Sequence, residues 1–308
     1  MFILAQSYLL ARLFAIAYQS ARSLSDSLRN TNQALTRFVP TQFLRLLHKK
    51  DITEIHLGDQ VMQSMTVMFT DIRSFTTLSE QMTPEENFNF LNSYLKRMTP
   101  IVNQRGGFVD KYIGDAVMAL FPGAPDEALR AAVEMQQEVR VYNSHRAKNG
   151  YNPINIGIGL HTGEIMLGII GHENRMEGTV ISDTVNTASR VEGLTRRYGA
   201  VILVSNDVLD KLEQPDEFER RRLGLVRVKG KKSAFPVYEI LNGYTDDLRA
   251  LFLETRESFH EAVDLAYSER YEEAANAFAR IQERNPMDKA AGFYLDRIQS
   301  RIFAPARM

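Results

Sequence analysis

Between residues 65 and 204, short apolar runs alternate with amphipathic stretches, and their order limits the architectures open to the chain. Residues 65–72, MTVMFTDI, read as a buried strand ending in an acid. Thr83-Pro84-Glu85-Glu86 then opens a helix over 84–104, with a capping hydroxyl and Pro at the first helical position. Phe88, Leu91, Leu95 and Met98 recur at helical spacing, and Gly106-Gly107 ends that helix. Phe108–Ile113 and Ala116–Phe121 read as two strands joined through Gly114-Asp115. Residues 124–148 form a second amphipathic helix carrying Ala128, Ala131, Ala132, Met135, Val139 and Tyr142. The strict alternation of Ile154, Ile156, Ile158 and Leu160 predicts a half-buried strand, joined through Thr162-Gly163 to another over 164–170. A helix over 183–197 and strands over 201–204, 226–228 and 237–240 follow. The order is βαββαβ, then a helix and further strands, which favours an α/β sandwich on a largely antiparallel sheet.

Composition removes several function classes. The chain has 308 residues, 44% apolar and 24% charged, as a globular protein does. Lys and Arg number 37 against 38 Asp and Glu, a net charge of -1, so a uniformly basic nucleic-acid binder is excluded and no nucleic-acid partner is expected. Cysteine is absent, which excludes a disulfide scaffold, a thiol nucleophile, Cys-ligated zinc and iron–sulfur clusters.

The two ends differ from the middle. Residues 1–18 are apolar but carry Gln6 and a central Arg12, and such an Arg costs roughly 2.5–3.5 kcal/mol on insertion scales. Residues 1–20 are therefore read as a membrane-proximal helix or the end of a truncated transmembrane one. Residues 1–50 hold seven Lys/Arg against the single acid Asp26, a balance suited to the cytoplasmic membrane face. In the signalling helix and linker over 21–60, Leu24, Leu28, Thr31, Leu35 and Phe38 step as a short heptad seam that Pro40 ends. At the other end, residues 246–308 form a helical tail. Its Ala262, Leu265, Ala274, Phe278 and Pro286 fall at tetratricopeptide offsets. One such repeat cannot bury its own face, so it should pack on the core or on a protein partner.

The chemistry-bearing residues lie in the middle. Asp71 ends the first strand and Asp115 sits in the next hairpin turn. In a βαββ topology both carboxylates converge at one sheet edge. Without Cys or a nearby His, the pair favours a hard cation, Mg²⁺ or Mn²⁺, and two such ions suit phosphoryl transfer. Taken singly, an acid after a strand is an ordinary cap or surface acid. Asn186 and Arg190 share a helix face at i and i+4, where an amide and a guanidinium can hold a ribose and a phosphate. Arg190 alone could equally pair with Asp183 or Glu192. Lys111 precedes Asp115 by four residues, Thr179 lies across a Gly-containing loop, seven residues before Asn186, and Lys229 lies in a basic hairpin tip. The stretch 224–232 is no P-loop: it has five residues between its glycines, Lys where Ser or Thr is required, and a strand after it.

Together MTVMFTDIRSFTTLSE, GGFVDKYIGDAVMALF, GLHTGE and EGTVISDTVNTASRVEGLT resemble the class III adenylate/guanylate cyclase catalytic domain over residues 61–241. The resemblance implies an α/β fold, a ferredoxin-like βαββαβ sandwich core with an N-terminal helix and a C-terminal helical hairpin. It also implies an adenylate cyclase that turns ATP into 3′,5′-cyclic AMP and pyrophosphate in signal transduction. Asp71, Asp115 and the Ile72 carbonyl match the ligands of two Mg²⁺ or Mn²⁺ ions. Lys111 matches the adenine-selecting lysine, and Thr179 stands where many members have Asp, as in the subgroup that includes bicarbonate-responsive cyclases. Asn186 and Arg190 match the ribose-orienting and transition-state residues, and Lys229 the lysine on the terminal phosphates. Arg196 and Arg197 are only near the family's second phosphate arginine. The family shares each site between subunits, which implies a homodimer. The segment before residue 61 resembles the connection from a membrane receptor, which places the catalytic domain at the inner face of the plasma membrane. A guanylate cyclase and a catalytically silent dimerisation scaffold are the alternatives; Lys111, a donor, argues against guanine.

Overall fold

The computed structural model describes residues 2–35, 40–227, 234–300 and 306–307. In chain order the elements are α1 (Phe2–Leu35), α2 (Thr41–Leu46), β1 (Gln60–Ile72), α3 (Phe75–Ser79), α4 (Pro84–Gln104), β2 (Phe108–Ile113), β3 (Ala116–Phe121), α5 (Pro125–Lys148), β4 (Ile156–His172), β5 (Arg175–Ile181), α6 (Asp183–Tyr198), β6 (Ile202–Ser205), α7 (Asn206–Leu209), β7 (Arg220–Arg227), β8 (Phe235–Ile240), α8 (Asp246–Tyr267), α9 (Tyr271–Arg284), α10 (Lys289–Gln299) and β9 (Ala306–Arg307). The chain divides into two compact units, residues 1–59 with 169–178, and residues 60–168 with 179–308.

In the first unit, α2 buries Phe43 and Leu44. Gly178 lies against the Phe43 ring, where an added Cβ would come within 2.8 Å of it. Asp59 gathers the Lys49 ammonium at 2.9 Å and the His56 N–H at 2.8 Å. α1 leaves Tyr8, Leu9, Leu10, Leu13, Phe14, Leu24 and Leu28 exposed. Among the described residues no helix is long and apolar enough to cross a membrane. Phe38 of the heptad seam lies outside the described residues.

The second unit is built on one sheet, in the order β2-β3-β1-β4-β6-β8-β7-β9 with β5 on β4. β1 pairs antiparallel with β3, from Thr66↔Phe121 to Thr70↔Val117, and with β4, from Gln60↔Gly168 to Ile72↔Ile156. The first four strands thus take the ferredoxin-like order. On one face α4 and α5 pack Tyr94, Met98, Leu129 and Met135 against Met68, Ile156, Ile158 and Leu160. On the other, α6 and the tail pack Val191, Phe259, Phe278 and Tyr294 against Leu203, Leu223 and Val237.

Four expectations change. The half-buried strand at 154–160 and its neighbour at 164–170 are one strand, β4, covered on both faces: Ile156–Thr162 are all buried. The glycines between the isoleucines explain it. A Cβ at Gly159 would stand 2.1 Å from the Glu192 nitrogen, and one at Gly163 2.6 Å from the Thr184 hydroxyl, so bare backbone admits α6. The loop expected before Thr179 is the strand β5. The strand expected at 226–228 begins at Arg220, because the buried Arg221 guanidinium is neutralised by Glu239 at 2.7 Å and Asp288 at 2.5 Å. The C-terminal hairpin is three helices, α8 to α10; Asp288 caps the third by accepting the Ala291 N–H, so the chain restarts a helix after Pro286.

Candidate functional site

Asp71 and Asp115 are brought together by register. β1 pairs with β3 as far as Thr70↔Val117, so the next residue of β1 stands beside the turn from which β3 begins. Gly114 in that turn has φ +65°, a conformation glycine adopts freely. The Ile72 N–H donates to Asp115 Oδ2 at 3.1 Å. Burial first, then a hydrogen bond with Asp71 and its charge, push the Asp115 carboxyl up to about 7. Beneath them, buried Thr70 and Tyr94 share a hydrogen bond of 3.4 Å.

α6 approaches the same end of the sheet. Ser182 caps it, accepting the Thr184 N–H at 3.0 Å, and Gly199 ends it at φ +68°. From its last turns, Arg196 Nη2 reaches Asp71 Oδ2 at 3.5 Å. Burial and then the charge of Asp71 push Glu192 up to about 7. Arg73, two residues beyond Asp71, donates to the carbonyls of Thr195 at 3.2 Å and of Ala200. Asn186 is exposed and Arg190 half-buried. At about 100° per residue, Arg190 lies about 40° from Asn186, whereas Glu192 and Arg196 lie about 160° and 120° from Arg190. The two pairs therefore flank the buried stripe of Thr187, Val191, Leu194 and Tyr198 on opposite sides.

Lys111 stands on β2, at the edge of the sheet, with Nζ 3.3 Å from Asp110. Thr179 is on β5, half-buried. Lys229 lies outside the described residues. From sequence alone Glu192 is only a pairing partner for Arg190, and Arg73 does not stand out. The available signal was the Glu192–Arg196 i,i+4 spacing beside a strand of alternating glycines.

Among the described residues no group of three or more His, Asp or Glu is placed to hold a metal. The donors at hand are the two carboxylates and the Ile72 carbonyl, all hard oxygens. Half-burial and the Asp71 charge beside it hold the Asp115 carboxyl up at about 7, and such a set of hard oxygen donors fits Mg²⁺ or Mn²⁺, which keep water and substrate oxygens as further ligands.

Comparisons with known proteins bear on the family to which the chain belongs. The pattern of the adenylate and guanylate cyclase catalytic domain matches residues 57–242. An adenylate cyclase of Anabaena cylindrica is 43% identical over 221 residues, 70% of this chain and 44% of that protein. The terminal-differentiation-specific adenylate cyclase of Dictyostelium discoideum is 33% identical over 291 residues, 92% of this chain and 14% of that protein. The structure of a bacterial light-regulated adenylyl cyclase superposes with a TM-score of 0.64 at 26% identity, over 74% of this chain and 66% of that one. The chain thus spans less than half the length of the two curated relatives.

Proposed function

The chain belongs to the family of adenylate and guanylate cyclase catalytic domains, and on that premise we propose that it converts ATP into 3′,5′-cyclic AMP and pyrophosphate. The observation that carries the reading is the meeting of Asp71 and Asp115 at the end of β1. The family uses divalent cations, and in this chain Asp71, Asp115 and the Ile72 carbonyl would hold them. When bound, such ions activate the ribose hydroxyl and neutralise the leaving phosphates.

The reaction makes one bond and breaks another. The ribose 3′-oxygen attacks the α-phosphorus in line, its proton passes to water, and the bond to the β-phosphate oxygen breaks to release pyrophosphate. Asn186 orients the ribose so that attack is effectively unimolecular. Arg190 supplies fixed donors where charge develops on the α-phosphate. Lys111 and Thr179 read the adenine edge, and Lys229 holds the terminal phosphates. The position of Asn186 and Arg190, across α6 from the flank that reaches Asp71, supports a site completed by a second copy of the chain. The exposed apolar residues and positive charge of the first 50 residues support a place against the cytoplasmic membrane face, downstream of a receptor.

Purified protein incubated with Mn²⁺ and either ATP or GTP decides the matter, with the product identified by mass. Cyclic AMP from ATP is expected. Cyclic GMP as the main product would make the chain a guanylate cyclase, and inactivity with both at high protein concentration would leave the scaffold reading.

A further inference from the structure

α3, α4, α5 and the turn after α5 border a half-open cavity of about 590 Å³, lined by Leu78, Met82, Phe90, Tyr142, Arg146 and Tyr151 among others. Asp71, Asp115, Lys111, Asn186 and Arg190 are not among its lining residues.

Arg146 is the unusual member. Its side chain is buried, at 5% exposure. The guanidinium carbon lies 4.8 Å from the Phe90 ring centre, 5.5 Å from that of Tyr151 and 5.7 Å from that of Tyr142. Nε donates to the Asn152 carbonyl at 2.7 Å. Among the described residues, neither Nη has a hydrogen-bond partner and no carboxylate pairs with the group. The other charges at the cavity are engaged or exposed. Glu86 accepts the Thr83 N–H at 2.8 Å, Arg97 holds Glu138 at 2.7 Å, and His145 is exposed. Arg221 shows how the same protein treats a buried guanidinium elsewhere: two carboxylates neutralise it, at 2.7 and 2.5 Å. The three rings stabilise the charge only in part, and a fork of donors left open into a cavity suits an anion.

We propose that this cavity binds a small organic monocarboxylate. One unmatched positive charge suits a monoanion, and the planar fork suits a carboxylate gripped by two parallel hydrogen bonds. Phe90, Tyr142, Leu78 and Met82 offer the apolar wall for the rest of the molecule. Phe75 stacks on Phe90 with ring centres 6.3 Å apart, and Phe75 begins α3, three residues after Ile72. An occupied cavity therefore bears on the helix that follows the acid pair. The binding site rests on its own geometry and not on the cyclase reading.

The test is calorimetric titration of the full chain with benzoate, acetate and inorganic phosphate. Benzoate should bind one to one, and acetate, lacking the apolar body, about tenfold more weakly or worse. Arg146→Lys keeps a charge but loses the fork and should weaken benzoate at least about tenfold. Asn89→Trp changes an exposed lining residue, so the fold survives, and it should block the cavity and abolish binding. Asp115→Asn should leave benzoate binding unchanged, which separates this site from the acid pair. The proposal is overturned by absence of benzoate binding at millimolar concentration, by phosphate binding more tightly than benzoate, or by undiminished binding in both Arg146→Lys and Asn89→Trp.

Discussion

Asp115 is asked to serve chemistry at the expense of the fold. In an unfolded chain its carboxyl ionises near the usual value of about 4, whereas burial and Asp71 hold it at about 7 in the folded one. Between those values the folded form keeps a proton that the unfolded form has lost. Stability from this group is therefore present below about pH 4 and is lost as pH rises through about 7. The metal-free protein should melt at a lower temperature at pH 8 than at pH 5, and Asp115→Asn should flatten that slope. Mn²⁺ at pH 8 should restore the wild-type midpoint and leave the variant's unmoved. Turnover of ATP should drop by at least about 100-fold in the variant, which loses the charge and not the shape. An equal pH slope in both proteins, followed by differential scanning fluorimetry, would remove the acid pair as its source.

At the scale of elements, the strands and helices that carry the two acids were legible because their signals are local. Thr83 and Glu86 form the capping box their spacing announces, and the helix they open runs over 84–104 as its apolar residues require. What escaped were features whose cause is tertiary. The alternation of Ile154, Ile156, Ile158 and Leu160 reads as a half-buried strand, yet Gly157 and Gly159 between them are where α6 meets β4. The strand expected over 226–228 begins instead at Arg220, because the carboxylates that neutralise Arg221 come from β8 and from the cap of α10, 18 and 67 residues away. Lys229, by contrast, could be placed only by likeness to the family.

Both tertiary causes can be tested. Gly159→Ala puts a methyl within 2.1 Å of the Glu192 backbone, so α6 must shift. The cost should be about 1–3 kcal/mol in urea unfolding, with a disproportionate loss of activity because α6 carries Asn186 and Arg190. The same substitution at Gly193, where an added Cβ meets nothing within 4 Å, should be harmless and serves as its control. Asp288→Ala leaves Arg221 with Glu239 alone and removes the cap of α10. It should cost about 3–5 kcal/mol and free the tail to proteolysis before the sheet. An unchanged urea midpoint in Asp288→Ala would show that the tail is not anchored through this ion cluster.

For the whole molecule the decisive matter is how many chains make one site. α6 presents Arg196 and Glu192 toward Asp71 on one flank and Asn186 and Arg190 on the other, so if the acid pair holds a nucleotide as proposed, the second flank would meet it from a twin chain. A symmetric pair of chains then has two sites, each combining the acids of one copy with the amide and guanidinium of the other. Asp115→Ala and Arg190→Ala should each be inactive alone. Mixed in equal amounts and allowed to exchange, half of the dimers hold one chain of each kind, and in those one of the two sites is intact. The mixture should therefore recover about a quarter of wild-type specific activity, rising to about half if the heterodimer is isolated by differential tagging. A site built within one chain predicts no recovery at any ratio, because every chain then carries a broken site of its own. Two Arg190→Ala chains differing only in their tags control for exchange itself and should stay silent.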